Sequence, residues 1–137
     1  MNLNYNMMPF TRPRKSLRES RLALVTTGGV HLPEGPRFDI DDPSGDCSYR
    51  EIPSDAHALT WTHAYYAPDR GTDLDSVLPL RTLRGLVAEG VVGELNRRHF
   101  SFMGAIHDPG PLAESTAPEV AAKLAADGVD AVLLTPS

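Results

Sequence analysis

The chain has 137 residues, of which 41% are apolar and 23% are charged, with a formal net charge of −5 and a single cysteine. This composition is typical of a soluble globular protein. One cysteine excludes a disulfide framework and a multi-cysteine zinc site within the chain. No apolar run is long enough to span a bilayer or to form a secretory signal core, so we predict a cytoplasmic protein with no membrane partner.

Charge is unevenly distributed along the first part of the chain. Residues 1–21 carry five basic side chains and one acidic one, whereas residues 34–55 carry seven acidic and two basic ones. The two segments are either solvated surfaces, a docking region for a partner, or segments that meet each other in the folded chain. The basic segment is too short and too poor in aromatic residues to predict nucleic-acid binding.

The first half of the chain is predicted to contain an arm, a long loop and short strands. Residues 1–19 are read as an extended basic arm, because their prolines interrupt a helix. Gly28 and Gly29 end the first strand and free the backbone to turn. Residues 32–48, rich in Pro, Gly and Asp, form a long loop. Strands are predicted at residues 22–26, 49–52 and 58–62.

The second half alternates helices with strands. A helix with Pro79 in its first turn is predicted to end at Gly90. Thr116 and Glu119 form a capping-box pair that opens a second helix, and Gly128 closes it. The side chains predicted to lie on the core faces of these helices are Leu80, Leu83, Val87, Val120, Ala121 and Leu124. Two further strands are predicted at residues 99–103 and 129–135.

This order predicts an α/β fold with an open, mostly parallel sheet and flanking helices, a three-layer arrangement of the Rossmann or flavodoxin type. Residues 22–26, 99–103 and 129–135 are expected to be neighbouring inner strands, with the last of them buried. Residues 20–137 are predicted to form one domain. Because Ser137 comes where a catalytic loop and a covering helix are expected, this domain is predicted to be incomplete at its C-terminus.

Ligands of open parallel sheets bind beyond the carboxyl ends of the strands. The residues predicted to gather there are Gly28, Gly29, His31, Thr62, His63, Met103, Gly104, Thr135 and Pro136. Gly28 and Gly29 permit either a simple tight turn or backbone contacts to an anion, but they lack the G-x-G-x-x-G pattern of a dinucleotide site. We expect substrate-binding positions at Gly28, Gly29, Met103, Gly104 and Thr135.

The histidines leave two interpretations open. His31 and His63 follow predicted strands, so they are pocket candidates that could ligate a metal or move protons in a hydrolase or lyase. No histidine pair has the i, i+4 helical spacing of a zinc motif, which favours ordinary hydrogen-bonded roles and no metal site. Cys47 follows Asp46, whose charge disfavours the reactive thiolate, so it is not predicted to be a nucleophile.

Short segments along the chain keep a recognisable order and spacing. They are ALVTTGGVH at 23–31, RFD at 37–39, SYREIP at 48–53, EGVVG at 89–93, HFSFMG at 99–104, TAPE at 116–119 and DGVDAVLLTP at 127–136. Together they resemble the selenoprotein B family of the glycine, sarcosine, betaine and D-proline reductases, and its short D-proline reductase type in particular. The resemblance covers nearly all of residues 21–137.

The resemblance implies a subunit of an oxidoreductase that reductively cleaves a C–N bond in an amino acid or amine, with a dithiol as electron donor. In the family a redox selenocysteine or cysteine follows the Leu-Leu-Thr-Pro strand. In the D-proline enzyme a second reductase subunit holds the substrate through a pyruvoyl group. There the selenolate attacks the substrate carbon and displaces the amine, which leaves a selenium–carbon bond. One thiol of the dithiol attacks selenium and releases the reduced carbon, and the second thiol resolves the resulting selenium–sulfur adduct as a disulfide forms. A homo- or hetero-oligomer without a cofactor in this chain is therefore expected.

The sequence departs from the family pattern where the redox residue is expected. It stops at Ser137, and Cys47 does not occupy the redox position. A selenocysteine codon of the stop type, a truncation, and a short homologue kept for assembly each account for the departure. The expectation is a reductase subunit that is inactive alone. The alternative is a non-catalytic assembly or small-molecule-binding module on the same fold.

Overall fold

The computed structural model describes residues 11–65 and 73–136. Within them the chain forms seven strands and two α-helices. The strands are β1 (Arg21–Thr26), β2 (Val30–His31), β3 (Tyr49–Pro53), β4 (Thr60–Trp61), β5 (Glu94–Leu95), β6 (Arg98–Phe102) and β7 (Ala131–Thr135). The helices are α1 (Leu80–Ala88) and α2 (Ala117–Ala126). Residues 1–10 of the predicted arm and Ser137 lie outside the described residues.

Strand β1 lies inside the main sheet, between parallel neighbours. Along one side it pairs with β7, from Leu22 opposite Ala131 to Thr26 opposite Thr135. Along its other side it pairs with β5 at its start and with β6 at its end. Strand β3 is antiparallel to β6 and completes the order β3–β6–β1–β7. The prediction of a mostly parallel sheet, in which β1 has β6 and β7 as its neighbours, is therefore confirmed.

Alternate residues of β1 face hydrophobic cores on opposite sides of the sheet. Leu22 and Leu24 pack in the same core as Leu80 of α1. Ala23 packs in a second core with Val120 of α2. The two helices therefore cover opposite faces, which gives the α/β arrangement of helix, sheet and helix that the sequence predicts. The finer Rossmann or flavodoxin assignment stays a prediction.

Helix α1 stops before Gly90, as the sequence predicts, whereas Pro79, predicted in its first turn, directly precedes the first helical residue, Leu80. The carboxylate of Asp75 accepts hydrogen bonds from the backbone N–H groups of Arg81 at 2.7 Å and Thr82 at 3.1 Å. These are amides of the first turn, which have no partner inside a helix. Gly90 adopts φ +71°, a left-handed conformation that ends the helix.

Helix α2 begins differently from the prediction. Thr116 is not an N-cap, because its backbone is already helical (φ −73°, ψ −35°) and its side chain makes no capping hydrogen bond. A π-helical turn, Leu112–Thr116, precedes α2 and lengthens the helical segment. Thr116 instead donates from Oγ1 to the carbonyl oxygen of Cys47 at 2.8 Å. Ala121, predicted to lie on the core face, is exposed.

The prediction of a buried last strand is wrong. In β7, Val132 is 40% exposed, Leu133 is 39% exposed and Leu134 is 69% exposed. Within the described residues β7 pairs with β1 alone, so it is an edge strand and not an inner one. The apolar run identifies a strand correctly, but burial also requires chain on both faces and along the outer edge.

The other strands differ from their predicted bounds by a few residues. Of the strand predicted at 58–62, only β4 forms, and it pairs antiparallel with β2 in a separate two-stranded sheet. The strand predicted at 99–103 begins one residue earlier and ends one residue earlier. The strand predicted at 129–135 begins at Ala131.

The described end of the basic arm is attached to the sheet. It is not fully extended, because Leu17–Glu19 form a 3-10 turn. The backbone N–H of Gly93 donates to the carbonyl of Leu17 at 3.0 Å. Lys15 forms an ion pair with Asp130 at 3.0 Å, at the start of the last strand. These contacts place the end of the arm beside β7 and not on the acidic loop, residues 32–48.

The acidic loop is held by contacts of its own. The carboxylate of Asp46 accepts from the backbone N–H groups of Asp39 and Ser48, each at 2.8 Å. The guanidinium of Arg50 lies 4.2 Å from the centre of the Phe38 ring. Asp46 therefore stabilises turns within the loop and lies close to Arg50 of β3.

No helix in residues 11–65 or 73–136 is long and apolar enough to cross a membrane.

Candidate functional site

The carboxyl ends of β1, β6 and β7, with the loops that follow them, form the carboxyl edge of the sheet. Gly29 turns the chain there with φ +65°, and a Cβ at this position would lie 2.1 Å from the carbonyl oxygen of Thr62. Its N–H donates to Phe102 O at 2.9 Å, and its carbonyl accepts from the N–H of Thr62 at 2.9 Å. Glycine is required here because the backbone of another segment passes so close.

Gly28 makes an equally close contact on the other side of the turn. It forms an antiparallel bridge with Met103. Its N–H donates to Thr26 Oγ1 at 3.1 Å. A Cβ on Gly28 would meet Val77 Cγ1 at 1.9 Å. The amides of Gly28 and Gly29 both have partners within the protein, so this turn is a packed junction and not an anion cradle.

Threonines fasten the end of β7 to the same edge. Thr135 donates from Oγ1 to Val77 O at 2.7 Å, and Thr26 Oγ1 lies 3.0 Å from the same carbonyl. The N–H of Thr27 donates to Thr135 O at 3.2 Å. Through these bonds the last described strand is held against β1 and against the segment that leads into α1.

A cleft of about 390 Å³ opens at the carboxyl edge, on the side of the sheet that α2 covers. Residues from β6, from the loop after it and from the start of the second helix enclose it. They are Thr27, Phe102, Met103, Gly104, Ile106, Pro109, Leu112 and Ala117. None of these side chains is ionisable. The cleft therefore suits the uncharged, apolar part of a small molecule, with the Thr27 hydroxyl as its polar side chain.

The structure brings most of the predicted substrate positions together. Met103 and Gly104 line the cleft. Gly28 is bridged to Met103, Gly29 is bonded to Phe102, and Thr135 is bonded to Thr27. Their gathering at one edge follows from parallel strands that end on the same side. Their role in binding a substrate stays a prediction.

His31 does not line the cleft. It is only 1% exposed, with Nδ1 2.8 Å from Leu32 O and Nε2 2.8 Å from Thr62 Oγ1. A carbonyl can only accept, so Nδ1 carries the proton and Nε2 accepts from the Thr62 hydroxyl. Both ring nitrogens are thus occupied. This geometry favours an ordinary hydrogen-bonded role over the metal or proton-transfer role considered for His31.

His63 follows Thr62 and is also buried. Its Nδ1 accepts from the backbone N–H of Tyr65 at 3.2 Å, and the two rings are 5.9 Å apart. Burial lowers the pKa of His63 below the ordinary histidine value, which keeps the ring neutral near pH 7. Like His31, it does not line the cleft.

The described residues give no support to the hydrolase or lyase interpretation that depends on a metal. Across residues 11–65 and 73–136, no three His, Cys, Asp or Glu side chains are grouped so that they could hold a metal ion. His31 and His63 both neighbour Thr62 but face different partners.

Cys47 lies on the far side of the loop that borders the cleft. Its Sγ is 3.5 Å from Asp108 O and 3.7 Å from Gly45 O. It is neither a lining residue nor close in sequence to the end of β7. Cys47 therefore does not occupy the sequence position, just after β7, where the family pattern expects a redox residue.

Several lining residues were not predicted from the sequence. Phe102 was assigned only to a strand, and Ile106, Pro109 and Leu112 were assigned to a loop. Ala117 lines the cleft at the start of α2, directly after the π-helical turn. The apolar residues among the prolines of the 104–112 segment were the available signal, since solvated loops seldom carry them.

Comparison with known proteins identifies the family. The model of the glycine/sarcosine/betaine reductase selenoprotein B family matches residues 3–137. The chain belongs to this family. No solved structure matches it significantly.

Curated relatives of this selenoprotein B family member are longer than the chain itself. D-proline reductase subunit gamma of Acetoanaerobium sticklandii is 36% identical over 129 residues, which is 92% of this chain and 52% of that protein. Glycine reductase complex component B subunit gamma of Peptoclostridium acidaminophilum is 34% identical over 131 residues, 88% of this chain and 28% of that protein. Sarcosine reductase complex component B subunit beta of the same organism is 31% identical, with 96% and 31% covered. The chain spans about half the length of the first relative.

The redox group implied by the family finds no counterpart among the cleft residues. The lining contains no thiol, and Cys47 lies outside it. No lysine or other ionisable side chain lines the cleft. The lining residues that the structure describes therefore include no group able to perform the redox or carbonyl chemistry.

Proposed function

We propose that this chain belongs to a subunit of a selenoprotein B-type reductase that reductively cleaves a C–N bond in an amino acid or amine. A dithiol is the electron donor in this proposal. The observation that carries it is the family match over residues 3–137. The names of the relatives, subunits of D-proline, glycine and sarcosine reductases, support the reaction class.

In this proposal the cleft at the carboxyl edge holds the uncharged body of the substrate. Its lining of Phe102, Met103, Ile106, Leu112 and neighbouring residues supports this role, because apolar walls exclude water from a bound molecule. A partner subunit supplies the pyruvoyl group, and the redox selenocysteine or cysteine lies outside the cleft residues described above. If the reacting groups lie outside the cleft in this way, the cleft itself needs no ionisable side chain.

A second candidate is a non-catalytic assembly or small-molecule-binding module on the same fold. The observation that favours it is the same uncharged lining, which has no group able to donate a proton or to attack a substrate. Both candidates predict that the isolated chain, given a dithiol and an amino acid, releases no amine. They differ in what happens when the chain is placed in an active complex.

A chimera separates the two candidates. Residues 3–137 of this chain would replace the matched region of Acetoanaerobium sticklandii D-proline reductase subunit gamma, which is then purified with its other subunits. D-proline, glycine, sarcosine and betaine are offered separately with dithiothreitol, and C–N cleavage is measured by mass spectrometry. We expect turnover of at least one of them. An assembled chimera that turns over none would contradict the reductase proposal and favour the binding module.

A substitution in the cleft tests the binding role. Ala117→Phe in the chimera places a large ring at an exposed lining position, so kcat/KM should fall at least about tenfold, the cost of lost substrate contacts. Ala121→Phe is the matched control, because Ala121 is exposed on the same helix but does not line the cleft. Equal kcat/KM values for the two variants would show that the cleft does not bind the substrate.

A further inference from the structure

The outer strand β7 exposes more large apolar surface than an edge strand normally does. Its three central residues, Val132, Leu133 and Leu134, are all exposed, and the strand contains no charged residue, proline or glycine. Native edge strands are usually protected by such residues or by a covering segment. Strand β7 has a full ladder to β1 on one side, with five paired residues. Its exposure is therefore that of an ordered strand whose outer edge is unpaired within residues 11–65 and 73–136.

The exposed side chains lie on both faces of the sheet. Leu133 pairs with Leu24 and so lies on the face that α1 covers. Leu134 pairs with Val25, which packs in the core beneath α2. An occupant must therefore cover both faces as well as the open edge. A lone strand added to the edge would leave Leu133 and Leu134 in water.

We propose that β7 is the docking surface for a second α/β unit, which adds an uncharged parallel strand to β7 and covers Leu133 and Leu134 from opposite faces. Parallel direction follows from the sheet itself, since β6, β1 and β7 are all parallel on this side. Purely parallel strands occur almost only where chain covers both faces.

The occupant we assign is the region of the selenoprotein B polypeptide that this chain does not match. The first relative is about twice as long as the matched stretch, so it contains enough further chain for such a unit. A second copy of this chain is a weaker occupant. Two copies joined edge to edge through β7 would continue the sheet, but both faces of each β7 would stay uncovered.

Binding in trans tests the proposal without requiring reductase activity. The full chain, carrying an affinity tag, is co-expressed with the part of Acetoanaerobium sticklandii D-proline reductase subunit gamma outside the matched stretch, as a separate polypeptide. We expect the two to co-elute in equal amounts and the amides of residues 131–135 to exchange hydrogen more slowly in the complex. The inference uses the proposed function only to choose the partner, so failed turnover and failed binding are distinguishable.

Two matched variants locate the contact. Leu134→Lys introduces a charge at a side chain that is already 69% exposed, so the fold should be retained while the affinity falls at least tenfold. Ile40→Lys is the control, because Ile40 is 47% exposed in the acidic loop beside β3, at the opposite edge of the sheet. It should bind like the parent chain.

Three outcomes would overturn the proposal. The first is no co-elution with the separate polypeptide. The second is co-elution that Leu134→Lys leaves unchanged, which would place the contact elsewhere. The third is a dimer of this chain, measured by light scattering, that Leu134→Lys dissociates and that the separate polypeptide does not displace.

Discussion

His99 lies where β1 changes partner from β5 to β6. The backbone N–H of Leu24 donates to His99 Nδ1 at 3.0 Å, so an imidazole takes the place of a strand carbonyl. The ring is fully buried, and this burial, with the nearby positive charge of Arg84, lowers the pKa of His99 to about 4. Because Nδ1 accepts, the neutral ring carries its proton on Nε2. The sequence marked His99 only as the start of a strand.

The low pKa of His99 predicts acid sensitivity. The unfolded chain takes up a proton at this ring near pH 6.5, whereas the folded chain does so only near pH 4. Stability from the neutral ring is therefore fully present above pH 6.5 and is lost as the pH falls toward 4, by roughly 3 kcal/mol in total. Urea unfolding of the parent chain and His99→Gln at pH 7 and pH 4.5 measures this contribution.

The variant should lose less stability than the parent between these pH values, although it is less stable at pH 7. His57→Gln, at an exposed histidine, should follow the parent. Parallel losses in the parent chain and His99→Gln would show that His99 does not cause the acid sensitivity.

Among the elements, the start of α2 carries the residues of a capping box, but their side chains bond other segments and do not cap the helix. The pair Thr116 and Glu119 fits a capping box, yet the helical segment begins earlier, at Leu112–Thr116. The Thr116 hydroxyl reaches Cys47 O instead, and Glu119 accepts from the Tyr49 hydroxyl at 2.5 Å. Both side chains thus tie the second helix to the segment that leads into and begins β3.

This geometry predicts how the free energy of unfolding ranks among Thr116 variants. Thr116→Ala should lower the free energy of unfolding by about 1 kcal/mol, because the carbonyl of Cys47 loses its side-chain donor. Thr116→Ser keeps a hydroxyl and should lose less. Thr116→Asp is the decisive variant, since an ionised carboxylate cannot donate to Cys47, whereas an N-cap accepts Asp as readily as Thr. If Thr116→Asp is as stable as the parent in urea unfolding, Thr116 acts as a cap.

For the whole molecule, Asp127 joins several elements at the end of the sheet opposite the cleft. Its carboxylate is buried and accepts from Arg98 Nε at 2.7 Å and from Asn96 Nδ2 at 3.0 Å. Arg21 of β1 donates to the Asp127 carbonyl. The hydrogen bond from Arg98, followed by that from Asn96, holds the pKa of Asp127 well below its ordinary value. The site therefore connects β1, β6 and the end of α2.

Asp127→Asn should be the most destabilising of the polar substitutions discussed here. The substitution removes the shorter ion pair of Arg98, which keeps only Glu51 at 3.3 Å, and it weakens the buried hydrogen bonds to Asn96 and Arg98. The free energy of unfolding at pH 7 should therefore fall by on the order of 2 kcal/mol. Glu94→Gln is the control, because Glu94 pairs with Arg21 at an exposed site and should cost under about 1 kcal/mol. Urea unfolding measures both. Similar losses for the two variants would show that burial of Asp127 does not set its contribution.

Elements with local signals are predictable from the amino-acid sequence. Apolar runs and helix spacing predicted β1, α1 and much of α2, and Gly90 and Gly128 end the helices with positive φ. Parallel order then predicted that Gly28, Met103 and Thr135 meet at one edge, since strands of a parallel sheet end on the same side. The ordered segments between residues 23 and 136 also pointed to the family.

Whether a predicted site residue has a free polar atom, and whether a predicted strand is buried, depend on tertiary contacts. The sequence predicts His31 as a pocket candidate, but the Leu32 carbonyl and the Thr62 hydroxyl occupy its two ring nitrogens. Leu134 read as buried, because an apolar run records what a strand can bury and not what lies beside it. The cleft depends in the same way on the π-helical turn Leu112–Thr116, which brings the second helix over Phe102. Such contacts join residues far apart in sequence, so no local pattern specifies them.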